Sequence, residues 1–287
     1  MRKDAYKIKG ANPMYTVGAH FMTRRSDAMN MITLDIPMEP MQKYLNDCRK
    51  KGIRMSHMAL ILSAYVRTLT KYPELNRFVV NKKIYARNEI SVGMVVLKAG
   101  EATEGTEGKL YFDPEDTIFD VNNKINDYVE SNRSVENTND MDNVIDKILS
   151  IPGLLRFGVP FLKWMDKHGW LPKSLIDVSP FHMSLGISNL ASIKTNHIYH
   201  HCYDFGTTSI FITMGNPREV PKTVNGEIVL EKCLPLGMTM DERICNGAYF
   251  ALAFRQFRKY LKNPTLLEEK PDTIIPDPNA VIKKKKK

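Results

Sequence analysis

Residues 234–261 read LPLGMTMDERICNGAYFALAFRQFRKYL, and the reading of this stretch decides the fold. Leu234, Leu236, Met238 and Met240 recur at every second position, as a strand with one buried face requires. Phe250, Phe254, Phe257 and Leu261 recur at helical spacing instead, until Asn263-Pro264 ends the pattern. TMDERICNG (239–247) is therefore a strand-to-helix turn. It carries two carboxylates, Asp241 and Glu242, an arginine, Arg243, and the Asn246-Gly247 step. A loop held between two rigid elements is a common place for chemistry.

Working outward, SIFITMG (209–215) is a strand, and VPKTVNGEIVLEKC (220–233) holds a hairpin signal, Asn225-Gly226 between β-type runs. ISVGMVVLKAG (90–100) is rich in β-branched residues and also reads as a strand. Met41, Tyr44, Leu45 and Cys48 mark a helix that Gly52 stops. A second helix starts at the N-cap Ser56, carries Ala59, Leu62, Val66 and Leu69 on one face, and ends before Pro73. A third opens at Pro114, with Ile118, Val121, Ile125 and Val129 as its buried stripe. The apolar run 144–172 is broken by Pro152, Arg156 and Pro160, so it reads as short helices over the core or over a site mouth. Its Lys163, Trp164 and Trp170 leave a membrane-lying segment as the alternative. One α/β domain fits the whole pattern.

A chain of 287 residues with 43% apolar content buries a full core without disulfides. Cys48, Cys202, Cys233 and Cys245 have no paired spacing, which suits a reducing compartment and argues against a zinc site, so no metal is expected. The net charge is +9, but without Lys283–Lys287 it falls to +4, so nucleic acid is not an expected partner. The N-terminus has no apolar h-region, and no uninterrupted apolar run reaches the ~20 residues that span a bilayer. A cytoplasmic protein without membrane contact is the expectation.

Four segments in this order and spacing carry a resemblance: LILSAYVRTLTKYPELNRF (60–78) with its Pro73-x-Leu75-Asn76, GISNL (186–190), VNGEIV (224–229) and DERICNGAYFALAFRQFRKYLKNPTLL (241–267). The chain resembles the catalytic domain of the 2-oxo acid dehydrogenase acyltransferases (dihydrolipoyl acyltransferases), which share a fold with chloramphenicol acetyltransferase. The similarity runs over most of residues 20–268. It implies a two-layer α/β sandwich, a mixed sheet against helices, with a helical insertion near 140–175. Residues 1–19 are then an N-terminal extension and 269–287 a disordered, lysine-ending tail. The resemblance also implies acyl transfer between coenzyme A, or another thiol carrier, and an acceptor, at sites between the subunits of a homotrimer. It implies a small-molecule acyl donor and acceptor, and a free-standing domain with no lipoyl domain in this chain.

The family's signature at the last segment is Asp-His-Arg-x-x-Asp-Gly. Asp241, Arg243 and Gly247 match it; Glu242 stands at the histidine position and Asn246 at the second aspartate. In the family the histidine deprotonates the thiol, and a serine placed like Ser188 helps hold the oxyanion. The resemblance therefore nominates Glu242, Asn246 and Ser188 as catalytic. A thiol near pKa 8.5 gives its proton to an ordinary Glu near 4.3 at a cost of about 5.7 kcal/mol, against about 2.7 to a histidine. Glu242 can serve as base only in a desolvated site, which raises a carboxyl into the useful range. Asn246 avoids a second negative charge there and can donate a hydrogen bond to the carboxylate. Arg243 either pairs with Glu242, which works against a base, or points inward to a structural partner. The other reading makes Glu242 a turn residue of a non-catalytic relative, a pseudoenzyme that binds coenzyme A, an acyl carrier or a protein. A relocated histidine is a further option: His182, on the face of Ser188 if the strand is regular, or His197, His200 and His201.

Overall fold

The pleat of the strands decides the layering, because every second side chain of the main sheet is apolar and must be covered. The computed structural model describes residues 2–97, 105–132, 150, 153–278 and 280. In chain order these form β1 (Ala5–Lys7), α1 (Pro13–Phe21), β2 (Met29–Pro37), α2 (Met38–Lys50), α3 (His57–Lys71), β3 (Arg77–Val80), β4 (Lys83–Arg87), β5 (Ile90–Leu97) and β6 (Gly105–Phe112). There follow α4 (Ile118–Asn132), α5 (Leu154–His168), α6 (Lys173–Val178), β7 (Leu185–Asn189), β8 (Ile210–Met214), β9 (Arg218–Val224), β10 (Glu227–Asp241) and α7 (Gly247–Lys262). The main sheet runs β2-β10-β8-β7-β5-β6, with β9 paired to the outer half of β10. It is mixed, since β7 runs parallel to both β5 and β8 while the other pairs are antiparallel.

Leu236, Met238 and Met240 of β10, Ile210 and Ile212 of β8, and Leu185 and Ile187 of β7 form one core with α2, α3, α4 and α7. The period-two and helical patterns of 234–261 thus meet in the same core. The fold is a two-layer α/β sandwich. Asn225 and Gly226 both take positive φ, the geometry of a tight hairpin turn, and join β9 to β10. Ser56 caps α3, its Oγ accepting from the Ala59 N–H at 3.1 Å.

Two expectations are corrected here, and α3 is packed more deeply than its apolar stripe alone indicated. Helix α3 has no solvent face: Met58 to Thr70 are all buried, because α4 and α7 pack beside it as well as the sheet. Its hydroxyls are satisfied within the helix, Ser63 on the Ala59 carbonyl and Thr68 on the Ala64 carbonyl. Helix α4 starts at Ile118 rather than Pro114, since Thr117 and Asp120 bond each other's backbone N–H as a capping box. The described part of the tail packs on the domain: Asp277 pairs bidentately with the buried Arg77, and the Ile275 N–H donates to the Thr70 carbonyl. A buried guanidinium needs such partners. The terminal lysines, 131–143 beyond Asn132, and 144–149 lie outside the described residues.

Residues 1–19 are built into the domain. β1 joins β4 and β3 in a three-stranded sheet, and α1 packs on it through Ala19. Arg2 clasps α5: it donates to both oxygens of Asp4 at 2.9 Å, and to the carbonyl and carboxylate of Asp166 in α5 at 2.9 and 2.7 Å. His182 lies with Nε2 3.2 Å from the same carboxylate and Nδ1 2.7 Å from Ser179 Oγ. It sits in a turn before β7, not on the face of Ser188, and is corrected as a candidate on that ground.

This clasp sets a pH dependence. Burial holds His182 below its usual range, against the opposing pull of Asp166 and Asp4, with Arg2 adding to the depression. Burial acts to raise Asp4 and Asp166, but the bonds and charge of Arg2, with His182, outweigh it and hold both low. Below about pH 6.5 the unfolded chain takes up a proton that buried His182 refuses, so stability falls as pH drops, by at most about 1.4 kcal/mol per pH unit from this group. The carboxylates' contribution is kept until they protonate below about pH 4. Urea unfolding should show stability falling between about pH 7.5 and 5. His182→Gln should remove its share of that slope, leaving the part contributed by His57, His197 and His200, which burial also holds low.

Candidate active site

The end of β10 is fixed by charge. Its pleat turns Gly237, Thr239 and Asp241 away from the helices, toward the segment 197–209. Gly237 leaves room there: a Cβ on it would meet the Ile198 carbonyl at 2.3 Å. Asp241 is fully buried. Its carboxylate accepts from Arg243 Nε at 2.8 Å, Arg243 Nη2 at 2.6 Å, the Arg243 N–H at 3.1 Å and Arg25 Nε at 3.3 Å. The other guanidinium nitrogens reach main-chain carbonyls, Arg243 that of Met22 and Arg25 those of Val79, Tyr203 and Gly206. Arg243 thus points inward to a structural partner.

Glu242 follows on the opposite side. Its N–H donates to the Ala28 carbonyl at 2.9 Å, and its half-buried carboxylate accepts from Asn30 Nδ2 at 2.6 Å. Asn30 of β2, not Asn246, supplies the amide beside Glu242. Asn246 instead caps α7, its Oδ1 accepting from the Tyr249 N–H at 2.8 Å while its own N–H donates to the Tyr15 hydroxyl.

A groove of about 920 Å³ opens at this point and runs between edge strand β2 and α7. Asn30 and Gly247 line its start, and Met31, Leu34, Phe250 and Phe254 are among its apolar walls. Arg255, Arg258, Lys259 and Lys262 line the far part, roughly 12–22 Å along α7 from Gly247 at 1.5 Å per residue. That basic stripe recurs at i, i+3, i+4 and i+7, a spacing readable in the sequence; the pairing of Asn30 with Glu242 had no sequence signal.

Ser188 lies elsewhere. It is half-buried on β7, on the face opposite the core, in one cross-strand row with Thr213, Gly237 and Thr33. Glu242 is five residues beyond Gly237, so the two are separated by about 17 Å along the strands and about 10 Å across them. One chain does not bring them together. His197 covers that row, with Nε2 2.9 Å from Thr33 Oγ1, and His200 stacks on Phe211 at 4.0 Å. Burial lowers both rings' affinity for a proton. All four cysteines are free and buried; burial pushes Cys202 up to about 12 and Cys245 further, so neither ionises near neutrality. Among the described residues no group of three His, Cys, Asp or Glu side chains is placed to hold a metal.

Residues 186–268, which include Ser188, the hairpin, Glu242 and α7, match the family model of the 2-oxoacid dehydrogenases acyltransferase (catalytic domain). The family resemblance is borne out. Among solved structures, the cubic core of the pyruvate dehydrogenase multienzyme complex is similar over 91% of this chain and 94% of its own, at 12% identity and a TM-score of 0.57. The dihydrolipoamide acetyltransferase of Azotobacter vinelandii, studied for the role of a serine, a histidine and an asparagine in its mechanism, matches over 88% and 89%, at 12% identity and a TM-score of 0.56. A chloramphenicol acetyltransferase matches over 90% and 99%, at 11% and 0.54. At these identities the likeness establishes the fold, which is chloramphenicol acetyltransferase-like. No curated protein matches the chain.

Asp241→Asn leaves two buried guanidinia short of a counter-charge and should cost about 3–5 kcal/mol in guanidinium unfolding. Asn246→Ala should cost only about 1 kcal/mol, the worth of a cap, and Asn246→Asp close to nothing.

Proposed function

We propose that the protein is an acyltransferase that moves an acyl group between coenzyme A, or another thiol carrier, and an acceptor, with Glu242 as the base. The groove beside Glu242 carries this reading. Its apolar walls suit a pantetheine arm, and its cationic far end suits the phosphates, so a thiol would come to rest at the Glu242 end. Glu242 takes the S–H proton, and the thiolate attacks the thioester carbonyl. The tetrahedral oxyanion accepts a hydrogen bond from the Ser188 hydroxyl, and collapse expels the second thiolate, which recovers the proton from Glu242.

Two observations support an assembly. Ser188 lies on the face of the sheet away from the helices and Glu242 beyond the end of β10, too far apart to meet within one chain, so a site using both takes each from a different copy, as in a homotrimer. Glu242 is half-buried in the single chain, and a covering neighbour supplies the desolvation that a carboxylate base needs. The core assembly of the similar pyruvate dehydrogenase structure agrees with this. The Asn30–Glu242 bond favours a second reading: an amide already satisfies the carboxylate, so the same groove could bind coenzyme A, a carrier or a protein without turnover.

Acyl-CoA/thiol exchange separates the two. Glu242→Gln should lower kcat by about 10²–10⁴-fold if Glu242 is the base. Equal turnover would remove it from the mechanism, and activity gained only in Glu242→His would favour the binding reading. Arg258→Ala with Lys259→Ala should raise KM for coenzyme A and leave kcat unchanged. Light scattering should give the mass of a trimer; a monomeric mass at micromolar concentration would take Ser188 out of the site.

A further inference from the structure

Helix α5 lies outside the residues that match the family model, and its surface is divided into three sectors. The inner sector is anchored by Asp166, the one acid of the helix, which is buried against Arg2 and His182. At 100° per residue Phe157, Phe161 and Trp164 fall within about 60° of one another on the outer side. They are 73%, 57% and 44% exposed, and Trp170, just past the helix, is 60% exposed. Three of the rings touch, Phe161 stacked on Trp164 at 6.0 Å and Trp170 edge-on to Trp164 at 5.0 Å, and Phe157 lies one turn before Phe161 on the same side. Arg156, Lys163 and Lys167 fall within about 40° of one another, alongside the aromatic sector. All three are exposed.

We propose that this face of α5 lies in the plane of an anionic membrane surface. Four exposed aromatic side chains on one side of a single helix and its end, three of them in ring contact, are not an ordinary water-facing surface. Two of them are tryptophans, the side chain that settles at headgroup depth, and the adjoining stripe is cationic with its single acid turned inward. No helix among the described residues is long and apolar enough to cross a bilayer, so the contact is in-plane. A two-fold contact between copies of this face would set Arg156, Lys163 and Lys167 against their own kind, which disfavours a second copy as the occupant. The expectation of no membrane contact is replaced by this reading, which stands independently of the acyltransferase proposal.

Trp164 and Trp170 are the two tryptophans of the chain, so the emission of the unaltered protein reports this patch directly. Vesicles of phosphatidylcholine with phosphatidylglycerol should shift the emission to the blue, and brominated acyl chains should quench it. Added salt should weaken both effects. Phe157→Ser with Phe161→Ser should lower the vesicle partition at least about tenfold. Lys163→Gln with Lys167→Gln should lower it about tenfold on the anionic vesicles and leave that on phosphatidylcholine alone unchanged. Three results overturn the proposal. One is sedimentation with vesicles while the emission stays unshifted, which assigns the binding to other basic segments such as Lys283–Lys287. Another is equal binding to phosphatidylcholine alone. The third is emission already blue without lipid and reddening on dilution, which assigns the face to a second copy.

Discussion

The structure depends on one buried carboxylate. Asp241 ends β10 in a position with no water, where an unpaired charge would be untenable. Two guanidinia and a backbone N–H converge on it, and each guanidinium spends its remaining donors on carbonyls from other parts of the chain. The loop at Arg25, the end of α1 at Met22, β3 at Val79 and the 203–206 segment are thereby tied to one strand terminus. Such a cluster adds little net stability over a well-packed apolar one. What it supplies is position: the chain can leave the sheet in one direction, and Glu242 and the first turn of α7 follow from that.

The pleat then separates two chemistries. Side chains on one side of β10 enter the helix-covered core, and those on the other meet the 197–209 segment, which approaches closely over Gly237. Glu242, beyond the strand, is free of both and bonds Asn30, which lines the start of the β2–α7 groove. Ser188 belongs to the row covered by that segment. The separation of Ser188 from Glu242 is therefore a consequence of strand geometry, and a shared role for the two, as proposed, depends on what stands next to the chain.

Much of this was legible in the sequence because it is local. The strand, turn and helix of 234–267, the Asn225-Gly226 hairpin and the Ser56 cap each depend on a few neighbouring residues, and each formed as read. What escaped depends on distant partners. Asn30 reaches Glu242 across 212 positions, and Asp277 reaches Arg77 across 200, and no periodicity announces either bond. Helix α3 showed an apolar stripe, but whether its other side meets water is decided by α4 and α7 and not by its own residues. The inward turn of Arg243 was one of two readings, and only the burial of Asp241 decides between them.

Assembly and basicity are linked by the same geometry. β2 is an edge strand, with unpaired backbone groups and an exposed Met31 along the groove, and the β9–β10 ribbon carries Ile228 and Leu230 into solvent. Bare edges and apolar ribbons are features that proteins cover. Whatever covers the β2 side comes up against Asn30, whose amide holds the Glu242 carboxylate. Under the proposed function a cover that desolvates a carboxylate would strengthen it as a base. An imidazole needs no such help near neutral pH. A glutamate in this turn is thus tied through Asn30 to the edge of the sheet, and its surroundings depend on what stands against that edge.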